Sequence, residues 1–109
     1  MWEGGPPDGR ILWIAMKLPE GHDWFEYSID AGHPTVQERG DMNHLSLVVP
    51  SVAAAYKVIL SRGYQPPGKP LLGRDGKWQL NLFDPDFTRT ELMEPKPVQT
   101  PCCSPMRDP

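Results

Sequence analysis

The chain has 109 residues, the size of one ordinary domain, and its 39% hydrophobic content allows a modest core. Its charges sum to −3 with both signs mixed and no basic stripe, which argues against a nucleic-acid partner. No apolar stretch approaches the roughly 20 residues needed to cross a bilayer, and the Gly- and Pro-rich start lacks the apolar run of a signal peptide, so we expect no membrane association and a cytoplasmic location.

Residues 1–9 read as a flexible N-terminus. Ile11 to Met16 form a nearly continuous apolar run, as in a strand covered on both faces. Pro19-Glu20-Gly21 is a turn, and a second strand from Asp23 to Ile29 completes a hairpin. Alternation puts Trp24, Glu26 and Ser28 on one face and Phe25, Tyr27 and Ile29 on the other. Residues 31–41 are polar and read as a linker.

A third strand is expected over Met42 to Val49, with His44, Ser46 and Val48 on one face. Ser51 is a plausible N-cap for a helix of about three turns. Within it Val52, Ala55, Tyr56, Ile59 and Leu60 recur at helical spacing, and Gly63 is a good residue just past its end. A strand near Lys69 to Arg74, the turn Asp75-Gly76, and a strand from Lys77 to Phe83 follow. Asp84-Pro85-Asp86 then turns the chain into a last strand, Arg89 to Glu94. Trp13 and Trp78 are assigned to the core. Residues 96–109 read as a Pro-rich tail, disordered or loosely docked. Cys102 and Cys103 are neighbours there, which cannot bridge each other without a strained ring.

The class is therefore α+β. Residues 42–94 give the order β-α-β-β-β, and residues 10–30 give β-β. His44 opens the complete unit and Glu91 lies on its last strand. They meet only if the first and last strands present one concave face. An imidazole and a carboxylate are a common ligand pair for divalent metals, and Glu26 holds the matching place on the preceding hairpin. A lone strand histidine is more often an ordinary core or edge residue. His22 and His33 read as solvated loop residues.

The run Asn43-His44-Leu45-Ser46-Leu47-Val48-Val49-Pro50-Ser51 resembles the opening strand of a module in the vicinal-oxygen-chelate superfamily. Leu82 to Leu92, through Asp84-Pro85-Asp86-Phe87, is similar to that module's closing hairpin. Trp24-Phe25-Glu26-Tyr27 is similar to the closing strand of a preceding module. The resemblance implies a vicinal-oxygen-chelate fold with one complete βαβββ module over residues 42–95, preceded by the ββ end of another. It also implies that Glu26, His44 and Glu91 are ligands of a divalent metal ion, Zn, Ni, Mn or Fe. The fourth family position, a histidine on the first module's opening strand, is missing. Only 25 residues precede Glu26, so that module's opening β-α is expected to be absent. Phe87 stands where the family usually has Gly, which predicts a turn that avoids positive φ.

The resemblance implies glyoxalase-like lyase or isomerase chemistry on a small oxygenated substrate. Glu91 or Glu26 would be the catalytic base, and Arg89, Trp24 and Met93 would line the substrate site. For Arg89, pairing with a carboxylate is the simpler reading. For Trp24 and Met93 it is filling the core. An extradiol-dioxygenase-like oxidoreductase is an alternative, although its triad of two histidines and a carboxylate cannot be completed from this chain. A metal-free, ligand-sequestering protein of the bleomycin-resistance kind and an inactive remnant are the others. The open cup and sheet edge imply a homodimer.

Overall fold

A computed structural model describes residues 2–5, 8–29, 32, 33, 35 and 44–100. The linker apart from residues 32, 33 and 35, the start of the third expected strand, and both cysteines lie outside the described residues. The described chain is mixed α+β, with two sheets and one helix. No helix among these residues is long and apolar enough to cross a membrane.

The first sheet is antiparallel, in the order β1 (Trp2–Gly4), β2 (Trp13–Lys17), β3 (Trp24–Ser28). The expected hairpin is present, with Gly21 at φ +81° in its turn. The flexible N-terminus is corrected, because Trp2 to Gly4 pair with Ala15 to Trp13 and form a third strand. Packing supplies what the short segment lacks in β pattern. Trp2 is 5% exposed and its ring lies 6.0 Å from that of Trp13. Gly4 fits beneath both indoles, where an added Cβ would collide with each ring.

The second sheet has the order β4 (Leu45–Val48), β7 (Arg89–Met93), β6 (Trp78–Phe83), β5 (Leu71–Leu72). β4 and β7 run parallel, and the remaining pairs are antiparallel. Between β4 and β5 lies α1 (Val52–Ser61). Its start is as expected, since Ser51 is extended and its Oγ accepts from the Ala54 N–H at 3.2 Å. Its end is a Schellman turn. Gly63 at φ +87° donates to Leu60 O, and Tyr64 N–H reaches Ile59 O.

The helix packs across β6 and β7. Val52 and Leu80 are fully buried and Leu92 nearly so, with Val49, Ala55, Tyr56, Ile59 and Leu82 around them. Each full burial of this kind contributes about 1.5–3 kcal/mol. The Tyr64 hydroxyl locks the loop after the helix to the end of β6, donating to Phe83 O at 2.9 Å and accepting from Phe83 N–H at 3.0 Å. Trp78 does not join this core. It stands at the rim and is 36% exposed, while Trp13 is half-buried.

Both hairpins of the second sheet use the same turn. Gly76 N–H bonds Gly73 O and Gly73 N–H bonds Lys77 O; Phe87 N–H bonds Asp84 O and Asp84 N–H bonds Thr88 O. In each, a tight turn is followed by a left-handed residue, Gly76 at φ +78° and Phe87 at φ +64°. The expectation that Phe87 avoids positive φ is therefore overturned. The Asp84 carboxylate enforces the turn by accepting from the Asp86 and Thr88 N–H groups at 2.8 and 2.9 Å. Part of the expected tail is docked, with Val98 N–H on Gly76 O at 2.8 Å.

Candidate functional site

The parallel register of β4 and β7 creates the site. Ser46 lies beside Glu91 and Leu45 beside Thr90. His44, just before β4, therefore falls level with Arg89 and on the face that carries Glu91. Its Nε2 is 3.0 Å from Glu91 Oε2, and its Nδ1 is 2.6 Å from Arg89 Nη2. The pair is well shielded, with 20% and 13% of the His44 and Glu91 side chains exposed.

These contacts fix the proton on the ring. A guanidinium has no acceptor, so Arg89 must donate and Nδ1 must accept. The neutral imidazole then carries its hydrogen on Nε2 and donates it to Glu91. The result is a directed chain, Arg89 to His44 to Glu91. Sequence reasoning brought His44 and Glu91 together, and it assigned Arg89 to a carboxylate or a substrate anion. The guanidinium instead rests on the imidazole, and its Nε is buried with no hydrogen-bond partner among the described residues.

Glu26 comes from the other sheet, at the centre of β3 opposite Ala15. Burial holds its carboxyl above the usual carboxylate range, and the negative charge of Glu91 adds to the effect. The Arg89 charge works the other way. Much of the Glu26 residue remains open to solvent. The two closing strands thus turn their glutamates toward one region. Arg74, whose Nε donates to Gly5 O at 3.2 Å, ties the second sheet to the end of β1.

Asp75 belongs to the same acidic region, a role sequence reasoning missed because Asp-Gly read fully as a turn. Burial raises its carboxyl, Lys77 works against that, and Glu91 adds to it. Its Oδ1 accepts from Lys77 N–H at 3.1 Å and from Gln79 Nε2 at 3.3 Å. Only a register argument across β6 would have placed it near Glu91. Trp24 precedes Glu26 on the same face and is 37% exposed. Met93 follows Glu91 on its face, between Val48 and Gln79, and is half-buried.

The donor set, one imidazole and crowded carboxylates, has the chemistry a divalent cation requires. A cation there would relieve the repulsion that Glu91 exerts on Glu26. Among the described residues, however, no three His, Cys, Asp or Glu side chains stand together as a ready ligand group. His44 and Glu91 are adjacent, and Glu26 would have to close on them. No protein-family model and no curated protein matches this chain.

Proposed function

We propose that the chain is a glyoxalase-like member of the vicinal-oxygen-chelate superfamily, acting with a divalent metal ion on a small oxygenated substrate by lyase or isomerase chemistry. The observation that carries this reading is the parallel pairing of β4 and β7 in the order β4-β7-β6-β5. It brings His44 onto Glu91 while Glu26 responds to Glu91 from the other sheet. Glu26, His44 and Glu91 would hold the metal. When bound, the ion would supply Lewis-acid stabilisation to an oxyanion or enolate of the substrate.

The protein's own groups provide the proton chemistry. A carboxylate held above its ordinary range is a stronger base nearer neutral pH, and Glu26 has that property. Trp24 and Met93 would flank the substrate as apolar walls. The same reading includes a homodimer, since every residue of β3 is exposed and, among the described residues, one edge of that strand is unpaired. Light scattering at micromolar concentration checks this, and a monomer argues against it.

The deciding experiment is elemental analysis of protein purified without added metal or chelator, for the wild type beside His44→Ala and Glu91→Gln. Near-stoichiometric metal in the wild type and its loss in both variants is the expected result. Equal metal in all three sinks the ligand assignment. A metal-free, ligand-sequestering protein is the second reading. It is favoured by a specific observation, that both ring nitrogens of His44 are already hydrogen-bonded. Absence of metal from the wild type would select it.

A further inference from the structure

Arg89 has a place in this site that the proposed chemistry does not require. We propose that Arg89 is a lock on metal loading, holding His44 in the tautomer that cannot bind a metal through the nitrogen facing Glu91. The inference rests on the metal-dependent reading given above and adds a regulatory residue to it.

The argument is one of hydrogen counting. Arg89 Nη2 lies 2.6 Å from His44 Nδ1, and a guanidinium only donates. Nδ1 therefore presents its lone pair to Arg89, and the hydrogen sits on Nε2, 3.0 Å from Glu91. A neutral imidazole binds a metal through a bare nitrogen, and its other nitrogen then carries the hydrogen. For His44 to ligate beside Glu91, Nε2 must lose its hydrogen and Nδ1 must gain one. An N–H at Nδ1 would point into the N–H of Arg89, two donors with no acceptor between them.

Metal sites usually solve the outer contact in the opposite sense. The second nitrogen of a ligating histidine donates to a carboxylate or carbonyl, which fixes the tautomer in favour of the metal. Here the outer partner is a donor, so it disfavours ligation. Loading requires Arg89 to swing off the ring. Its buried Nε has no partner to hold it among the described residues, so the guanidinium is only partly committed where it stands. A ligand oxyanion is the group that would draw it away, because guanidinium pairs with carboxylates and phosphates by two parallel hydrogen bonds. An anionic substrate and the metal would then assist one another's binding.

The test uses the chelator-treated 109-residue chain, with two readouts. The first is the 15N–1H correlation pattern of the His44 ring, at a pH where the ring is neutral, in the wild type, Arg89→Met and Arg89→Lys. The second is Zn2+ or Ni2+ affinity by calorimetry on the same proteins. Expected are an Nε2–H ring in the wild type and in Arg89→Lys, which keeps a donor, and a gain of the Nδ1–H form in Arg89→Met. Metal affinity is expected to rise roughly tenfold or more in Arg89→Met.

A wild-type ring protonated on Nδ1 overturns the lock, and that measurement needs no variant to fold. So does tighter metal binding by Arg89→Met with the ring still Nε2–H, which would be a simple charge effect. If the wild type binds metal and Arg89→Met binds it no better, the lock fails and the metal-dependent reading stands. If only Arg89→Met binds, the lock holds and the wild-type chain is not a metal protein as it stands. If neither binds, both fail.

Discussion

Glu94 supplies the negative charge that the helix beginning at Val52 does not provide for itself. The Val52 N–H donates to Glu94 Oε1 at 2.9 Å across 42 residues of sequence, and no acidic residue occupies the first turn. The carboxylate satisfies an otherwise orphaned N–H and meets the positive end of the helix dipole. It also ties the end of the last strand to the most buried residue of the helix.

Replacing Glu94 by Ala should therefore lower stability by about 1 kcal/mol, within the range of a lost cap and dipole interaction. Glu94→Gln keeps an acceptor and should lose less. Urea unfolding of the three proteins measures this, and equal midpoints would show that the contact contributes nothing.

Phe87 makes the opposite prediction. It holds φ +64° while being 75% exposed, so its side chain gains little from the protein to offset the left-handed backbone. Phe87→Gly should stabilise the chain by roughly 1 kcal/mol, because glycine adopts this conformation freely and Gly76 already does so in the sister hairpin. A lower denaturation midpoint in the variant would show that the ring is needed.

Trp2 should be indispensable to the first sheet. It is 5% exposed and its ring is tilted against that of Trp13 over Gly4. Trp2→Ala is expected to cost about 3 kcal/mol. The loss should be readable as a lower melting temperature by circular dichroism. An unchanged melting temperature would mean that β1 is not integral to the fold.

Asp75 gives a pH prediction. Burial raises its carboxyl, so the folded chain holds this proton more tightly than the unfolded one. The contribution of Asp75 to stability is then most favourable in acid, when it is protonated in both states. It is lost as pH rises from the ordinary aspartate range through the raised folded value. Asp75→Asn removes the charge and keeps an oxygen for the Lys77 N–H and Gln79 contacts. The variant should melt higher than wild type at pH 7, with the gap closing as the pH falls below the carboxylate range. A gap that widens in acid would reverse the assigned direction.

The elements that local chemistry specifies were legible in the sequence. Ser51 and Gly63 mark the helix because one side-chain oxygen and one left-handed residue suffice to cap it. The strands from Trp13 to Lys17 and from Trp78 to Phe83 show as apolar or alternating runs. Trp2 to Gly4 escaped notice because three residues ahead of Gly5-Pro6-Pro7 carry no periodicity, and the strand exists through the fit of two indoles. Phe87 was misread because the turn is set by Asp84 and by backbone pairing, which outweigh its own preference. His44, Glu91 and Glu26 were placed through element order and a family resemblance. The tautomer was beyond reach, since it depends on which ring nitrogen Arg89 meets.

The last strand is also an inner one. β7 inserts between β4 and β6, so the final stretch of the second sheet fills the gap that the earlier strands leave open. Until it arrives, His44 lacks Glu91 and Arg89, and β4 lacks the one strand it pairs with among the described residues. Pairing across 45 residues is a loop closure that comes late and slowly compared with local hairpins. The site therefore cannot form until the last strand has been added to the sheet. A chain stalled or cut before Arg89 keeps the helix sequence and the β2–β3 and β5–β6 pairs, yet lacks both the glutamate and the arginine that contact His44.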